Sequence, residues 1–219
     1  MSDHITGAQF QTWPGVQDWR VLATTFATRV GIGSLDEGAR LLARIAGLTA
    51  AHTSTLQVDV RPESVTIRLP FRDAGSPTRE DAELARAISA EAHALGLRAA
   101  AGSVQEVHLA IDAMSPPTVI PFWKAVLGYD AMGEEDIVDP EGAGPWIWFQ
   151  QMDAPRPQRN RIHVDIYVPP DLAQARIEAA LSAGGRLVTS EHAPSWWVLA
   201  DLEGNEACIA TRAEFERVT

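Results

Sequence analysis

The sequence holds one cysteine among 219 residues, Cys208, so no disulfide can close within the chain. Basic residues are also few: 18 Lys and Arg stand against 29 Asp and Glu, a formal charge of −11. That balance argues against nucleic acid or an anionic membrane as the main partner, since both reward a basic patch, and it leaves a small organic ligand as the better fit. No apolar run approaches the roughly 20 residues of a spanning helix. The opening MSDHITGAQF lacks the basic, apolar and small-residue segments of a secretory leader. The expectation is a soluble, cytoplasmic protein. Two catalytic signatures are absent as well. VGIGSLDEG places Asp36 where the third glycine of a dinucleotide fingerprint would stand, and there is no Gly-x-Ser-x-Gly. Glu191, His192 and Ser195 lie too close together along one loop to suggest a triad.

What is present reads as α+β. WRVLATTFATRV (19–30) is strand-like and runs to a turn at Gly31 and Gly33. Ser34 then caps a helix with Glu37 in the capping-box position, and Leu35, Leu42, Ile45 and Ala46 are available to its buried stripe. LQVDVRPESVTIRLPF (56–71) gives two alternating strands around Pro62-Glu63-Ser64, a hairpin. Thr78 caps a second helix with Asp81 reciprocating, and Leu84, Ala85, Ile88, Ala92 and Leu95 form one stripe that ends at Gly96. LRAAAGSV (97–104) is a small-residue connector, placing a domain boundary between residues 1–97 and 104–219.

The second half repeats itself. EVHLAID (106–112) and RIHVDIYV (161–168) each carry a histidine on the polar face of a strand, and His108 and His163 lie 55 residues apart. Each strand precedes a helical stretch closed by glycine, TVIPFWKAVLG (118–128) and DLAQARIEAALSAGG (171–185), and strand-like segments follow. Two β-α-β-β-β copies describe this economically. If the copies form halves of one curved sheet, their first strands lie side by side and both imidazoles point into one concavity. Neutral imidazole is the commonest protein ligand of divalent transition metals. Trp146, Trp148 and Gln150 share a face of the closing strand in the first copy, and Glu206, Cys208 and Ala210 share one in the second. Glu206 or Cys208 would bind a metal strongly, Gln150 weakly. Asp165 and Tyr167, on the face of His163, are candidates to touch a ligand, and Trp146 and Trp148 are candidate walls for a flat or apolar one. Trp196 and Trp197 are neighbours on a strand, so they must face opposite ways.

Residues 104–212, with FWKAVLGYDAM after the first helix and LADLEGNEACIAT at the end, resemble the vicinal oxygen chelate superfamily of glyoxalase and bleomycin-resistance-like proteins. The resemblance implies paired βαβββ modules and, in metal-using members, ligands from the first and last strand of each. These positions fall on His108, Gln150, His163 and one terminal residue. The family's glutamate falls on Cys208, with Glu206 two residues earlier on the same face as a ligand or base. The implied cofactor is a divalent metal (zinc, iron, manganese or nickel), acting as a Lewis acid in a lyase, isomerase or dioxygenase. Relatives without the full ligand set bind or sequester small molecules with no metal.

Residues 5–95 resemble pterin-4a-carbinolamine dehydratase through DWRV, VDVRPESVTIRL and DAGSPTREDAELARAIS, in that order. The implied fold is an antiparallel sheet with helices on one face. The family's His-His-Pro falls on Ser54-Thr55-Leu56, its later histidine on Arg72 and its hairpin tyrosine on Pro62. Serine, threonine and arginine cannot exchange protons near neutral pH as imidazole does. Two alternatives follow from the resemblance: dehydration of a pterin carbinolamine with His52 recruited beside Arg72, and a non-catalytic regulatory module that self-associates through its sheet as a homo-oligomer. Arg72 with Asp73 would grip an anionic or pterin-like ligand.

Overall fold

In the computed structural model, which describes residues 4–49, 56–71, 78–155 and 162–211, the alternating segments of the first half form one antiparallel sheet. The strands are β1 (Arg20–Val21), β2 (Thr25–Gly31), β3 (Gln57–Arg61), β4 (Ser64–Pro70) and β5 (Arg98–Ala99). Their order is β1-β2-β4-β3, with β5 also paired to β2. The stretch 19–30, expected as a single strand, is two. Leu22 N–H donates to the Thr25 carbonyl at 2.9 Å, and this turn folds β1 back onto β2. The hairpin is tight: Arg61 pairs with Ser64, leaving Pro62 and Glu63 as its two-residue loop.

Helices α1 (Gly7–Gln11), α2 (Leu35–Thr49) and α3 (Arg79–Ala94) complete this half. Phe26, Val30, Val65, Ile67 and Leu69 share one face of the sheet, and Leu41, Ile45, Leu84, Ala85, Ile88 and Ala92 bury against it. Trp19 is fully buried in the same core, where its indole N–H reaches the Ala85 carbonyl at 3.0 Å and Ser89 Oγ at 3.1 Å, satisfying the one polar atom it carries inside. The expected capping box of α3 forms, with Asp81 N–H on Thr78 Oγ1 at 3.2 Å and Thr78 N–H on the Asp81 carboxylate at 2.9 Å.

Two expectations about α2 are corrected here. The buried stripe of α2 is Gly38, Leu41 and Ile45, while Leu35 is 58% exposed and Leu42 41%. The cause is Gly38, where a Cβ would stand 2.9 Å from Ile32 Cδ1 and 3.1 Å from Val60 Cγ1. The helix sits so close to the sheet along this line that no other face can turn inward. Its N-terminus is also capped differently: Ser34 Oγ accepts from Glu37 N–H at 3.3 Å, but the Glu37 carboxylate takes the Gly33 N–H at 2.7 Å. The connector 97–104 belongs to the first sheet through β5. The chain divides between Glu106 and Val107, and the Glu106 carboxylate is tied back to the N–H and hydroxyl of Thr24.

The second unit consists of two βαβββ modules. The first is β6 (His108–Ala113), α4 (Pro116–Leu127), β7 (Asp130–Met132), β8 (Asp136–Val138) and β9 (Trp146–Gln151). The second is β10 (Val164–Tyr167), α5 (Pro170–Ser182), β11 (Arg186–Thr189), β12 (Trp196–Ala200) and β13 (Glu206–Ala210). Each makes a four-stranded sheet, β6-β9-β8-β7 and β10-β13-β12-β11, with the first strand at the edge and parallel to the last. Among the described residues no ladder joins β6 to β10, so the two imidazole-bearing strands are edges of separate sheets.

One core serves both modules. Phe122, Trp123 and Val126 of α4 pack with Ala173, Ile177 and Ala180 of α5 over Ile147, Phe149, Ala207 and Ile209. Close approach is again set by a glycine, since a Cβ on Gly185 would lie 2.4 Å from the Phe122 ring. Trp197 packs against this core and Trp196 lies on the other face, 38% exposed. Among the described residues no helix is long and apolar enough to cross a membrane.

Candidate functional site

Because side chains alternate along a strand, burying Ile147, Phe149, Ala207 and Ile209 under the helices turns their neighbours to the opposite face. In the first module that face carries His108, Ala110 and Asp112 of β6, in register with Trp146, Trp148 and Gln150 of β9. The His108 and Trp146 rings lie nearly coplanar in orientation, 7° apart with centroids separated by 5.8 Å. Trp148 is 38% exposed and Gln150 is exposed. The Gln150 amide donates a long 3.4 Å bond to the Gln151 carbonyl.

In the second module the corresponding face has a different chemistry. Asp165 stands directly opposite Cys208 in the parallel ladder, Tyr167 opposite Ala210, and Val198 of β12 flanks Cys208 from the other side. His163 precedes Asp165 by two residues and so shares its face. The ligating atoms of His163, Asp165 and Cys208 all lie within 4.8 Å of one another. His163 and Asp165 are exposed while Cys208 is only 7% exposed, so the thiol forms the floor of the group and the other two its rim. Glu206 is half-buried on the same face as Cys208. Trp196 stacks on His192, with centroids 4.2 Å apart and 25° between planes, bordering the same sheet. Most of the acidic residues of the chain lie in this second unit.

The structure therefore brings together His163, Cys208 and Asp165. His108 is not in that group, and both His108 and Gln150 belong to the other module's sheet. Asp165 is the donor that periodicity alone underrated: its place opposite Cys208 comes from the register of β10 on β13, which only the folded ladder supplies. Tyr167 is 62% exposed at the end of β10. His52, Arg72 and Asp73 lie outside the described residues, as do Ser54 and Thr55.

Support for the site comes from the terminal Asp-x-x-Gly-Asn segment. Asp201 is fully buried and its carboxylate accepts four hydrogen bonds: from Glu203 N–H at 2.9 Å, Asn205 N–H at 2.8 Å, the Asn205 amide at 2.9 Å and the Trp123 indole at 3.0 Å. Glu203 in turn accepts from Met114 N–H at 2.5 Å and Ser115 N–H at 2.8 Å, at the N-terminus of α4. An anion there satisfies orphan amides and complements the helix dipole. The motif is thus a brace that fixes the start of β13 and ties it to the other module's helix. The first module has a smaller counterpart. Asp139, in the loop before β9, accepts from the N–H groups of Glu141, Ala143 and Gly144 at 3.0, 3.0 and 2.7 Å. Tyr129 lies beside this loop, and burial, reinforced by the Asp139 charge, pushes its phenol above the ordinary value.

Residues 108–210, within the second unit, match the family model of the glyoxalase-like domain. Solved structures similar to the chain include a glyoxalase/bleomycin resistance protein/dioxygenase family enzyme from Burkholderia phytofirmans (16% identity, 48% of this chain and 95% of that one, TM-score 0.39). A glyoxalase-related enzyme from Fulvimarina pelagi is similar at 17% identity, over 49% and 88% of the two chains, with a TM-score of 0.40. The fosfomycin resistance protein FosX from Listeria monocytogenes, complexed with Mn(II) and sulfate, is similar at 10% identity, over 49% and 89%, with a TM-score of 0.39. None of the curated proteins matches the chain.

Proposed function

We propose that the second unit is a small-molecule-binding glyoxalase-like domain whose working surface is the helix-free face of its second module, with a divalent metal held by His163, Asp165 and Cys208. The observation that carries the reading is the grouping of those three donors within 4.8 Å. The donor set suits a metal. A tetrahedral ion with bonds of about 2.0–2.3 Å places its ligand atoms about 3.3–3.8 Å apart, inside that limit, and imidazole nitrogen, carboxylate oxygen and thiolate sulfur are all zinc-type ligands. Three protein donors leave a coordination position for a substrate oxygen or water, the hallmark of sites that act rather than only hold structure.

Bound there, a divalent ion would supply Lewis acidity toward an oxygen of the substrate. The chain's own residues supply the rest. Glu206 shares the face of Cys208 and is half-buried, which suits a carboxylate that moves a proton beside the metal. Trp196, backed by His192, offers a flat apolar border, and Trp148 and Trp146 offer a second aromatic surface on the first module. A small oxygen-bearing molecule with an aromatic or apolar portion fits this combination.

The test is the metal content of tag-free full-length protein purified without chelator, beside a His163→Ala/Cys208→Ala variant. Near-stoichiometric metal in the wild type and its loss in the variant support the reading. Folded, metal-free wild type that also takes up no added zinc would overturn the metal and leave a binding protein.

A further inference from the structure

We infer that this site is a thiolate site built by a single module, and that it selects zinc-like ions over hard ones such as manganese. The inference rests on the metal reading above and deepens it by assigning the ligand that sets selectivity. Its basis is the register of one parallel ladder. Asp165 and Cys208 are direct cross-strand partners, and His163 precedes Asp165 by two residues on the same face, so two neighbouring chain segments suffice to present nitrogen, oxygen and sulfur donors together. His108 and Gln150, the nitrogen- and oxygen-bearing candidates of the other module, stand on a different sheet, and His108 is not in the group.

Sulfur decides the selectivity. A thiolate is a soft ligand that favours zinc and cobalt, whereas manganese and magnesium prefer all-oxygen or oxygen-rich shells. Cys208 is 7% exposed with Val198 beside it on the neighbouring strand, so the sulfur meets an ion from a dry floor while His163 and Asp165 close on it from the solvent side. Uptake is balanced simply: the Cys208 S–H bond breaks, a sulfur–metal bond forms, and the thiol proton leaves to solvent. No oxidant or reductant takes part. An occupied site would also shield the only thiol of the chain from alkylation.

The experiment is titration of the full-length apoprotein with cobalt(II), followed by absorbance, with zinc and manganese as competitors and with Cys208→Ser and Asp165→Asn in parallel. The expected result has four parts: a near-ultraviolet sulfur-to-cobalt charge-transfer band, displacement by zinc at least about a hundredfold more effectively than by manganese, loss of the band in Cys208→Ser, and weaker binding with the band retained in Asp165→Asn. Alkylation of the wild-type thiol should slow when zinc is bound, a readout that needs no variant to fold. Cobalt binding without the charge-transfer band, or with manganese competing equally, would overturn the thiolate assignment and leave a metal site in place. No cobalt binding at all would overturn both.

Discussion

The two βαβββ modules of the second unit have the same strand order, the same parallel pairing of first and last strands, and an aspartate that organises the loop before the last strand. Their chemistry has diverged. The first module presents an aromatic face, His108 beside Trp146 with Trp148 exposed, and its loop aspartate serves mainly its own backbone. The second presents metal-type donors, and its aspartate is buried and tied to a helix of the first. The two modules thus share a scaffold and differ in surface: the first presents aromatic side chains and the second the grouped His163, Asp165 and Cys208.

That contrast can be broken by experiment. The largest effect is expected from Asp201→Ala, which strands the buried Trp123 indole and leaves two part-buried backbone N–H groups without their acceptor, and should cost about 3 kcal/mol. Urea unfolding of the full chain, followed by tryptophan fluorescence, measures it. The equivalent change in the first module, Asp139→Ala, opens a half-exposed loop whose amides can turn to water, and should cost about 1 kcal/mol. Equal losses would mean that the two aspartates do the same job and that the brace is not specific to the second module.

A smaller signal should come from Tyr129. Its pKa is raised by burial first and by the Asp139 charge second, so the phenol stays neutral in the folded protein when the unfolded chain would already ionise. The stability this contributes is full below the ordinary phenol value of about 10 and is lost as pH rises through the raised folded value. Alkaline spectrophotometric titration should show a late phenol component that vanishes in Tyr129→Phe and shifts to lower pH in Asp139→Asn. A late component unmoved by Asp139→Asn would remove the charge from the explanation and leave burial alone.

Much of this organisation was legible in the sequence because it rests on local rules. The Thr78–Asp81 capping box, the hairpin at Pro62-Glu63 and the duplicated βαβββ order each depend on residues close along the chain or on simple alternation. The face of α2 was not legible, because Leu35 and Leu42 satisfy helical periodicity as well as Leu41 does, and only the close approach at Gly38 selects between them. In the site, His163 and Cys208 could be picked out by residue type. Asp165 could not be ranked above Gln150 without knowing that it faces Cys208 across the ladder. The paired role of Asp139 and Asp201 was hidden for a related reason, since one lies in a loop of undefined course and the other in a family-like motif.

The most direct test of the division between modules is zinc binding by calorimetry to wild type, His163→Ala and His108→Ala, each as full-length apoprotein. The division predicts one zinc per chain, an affinity lowered at least about a hundredfold by His163→Ala, and no change with His108→Ala. Equal losses in the two variants would show that both modules ligate one ion, and would contradict a site built by the second module alone.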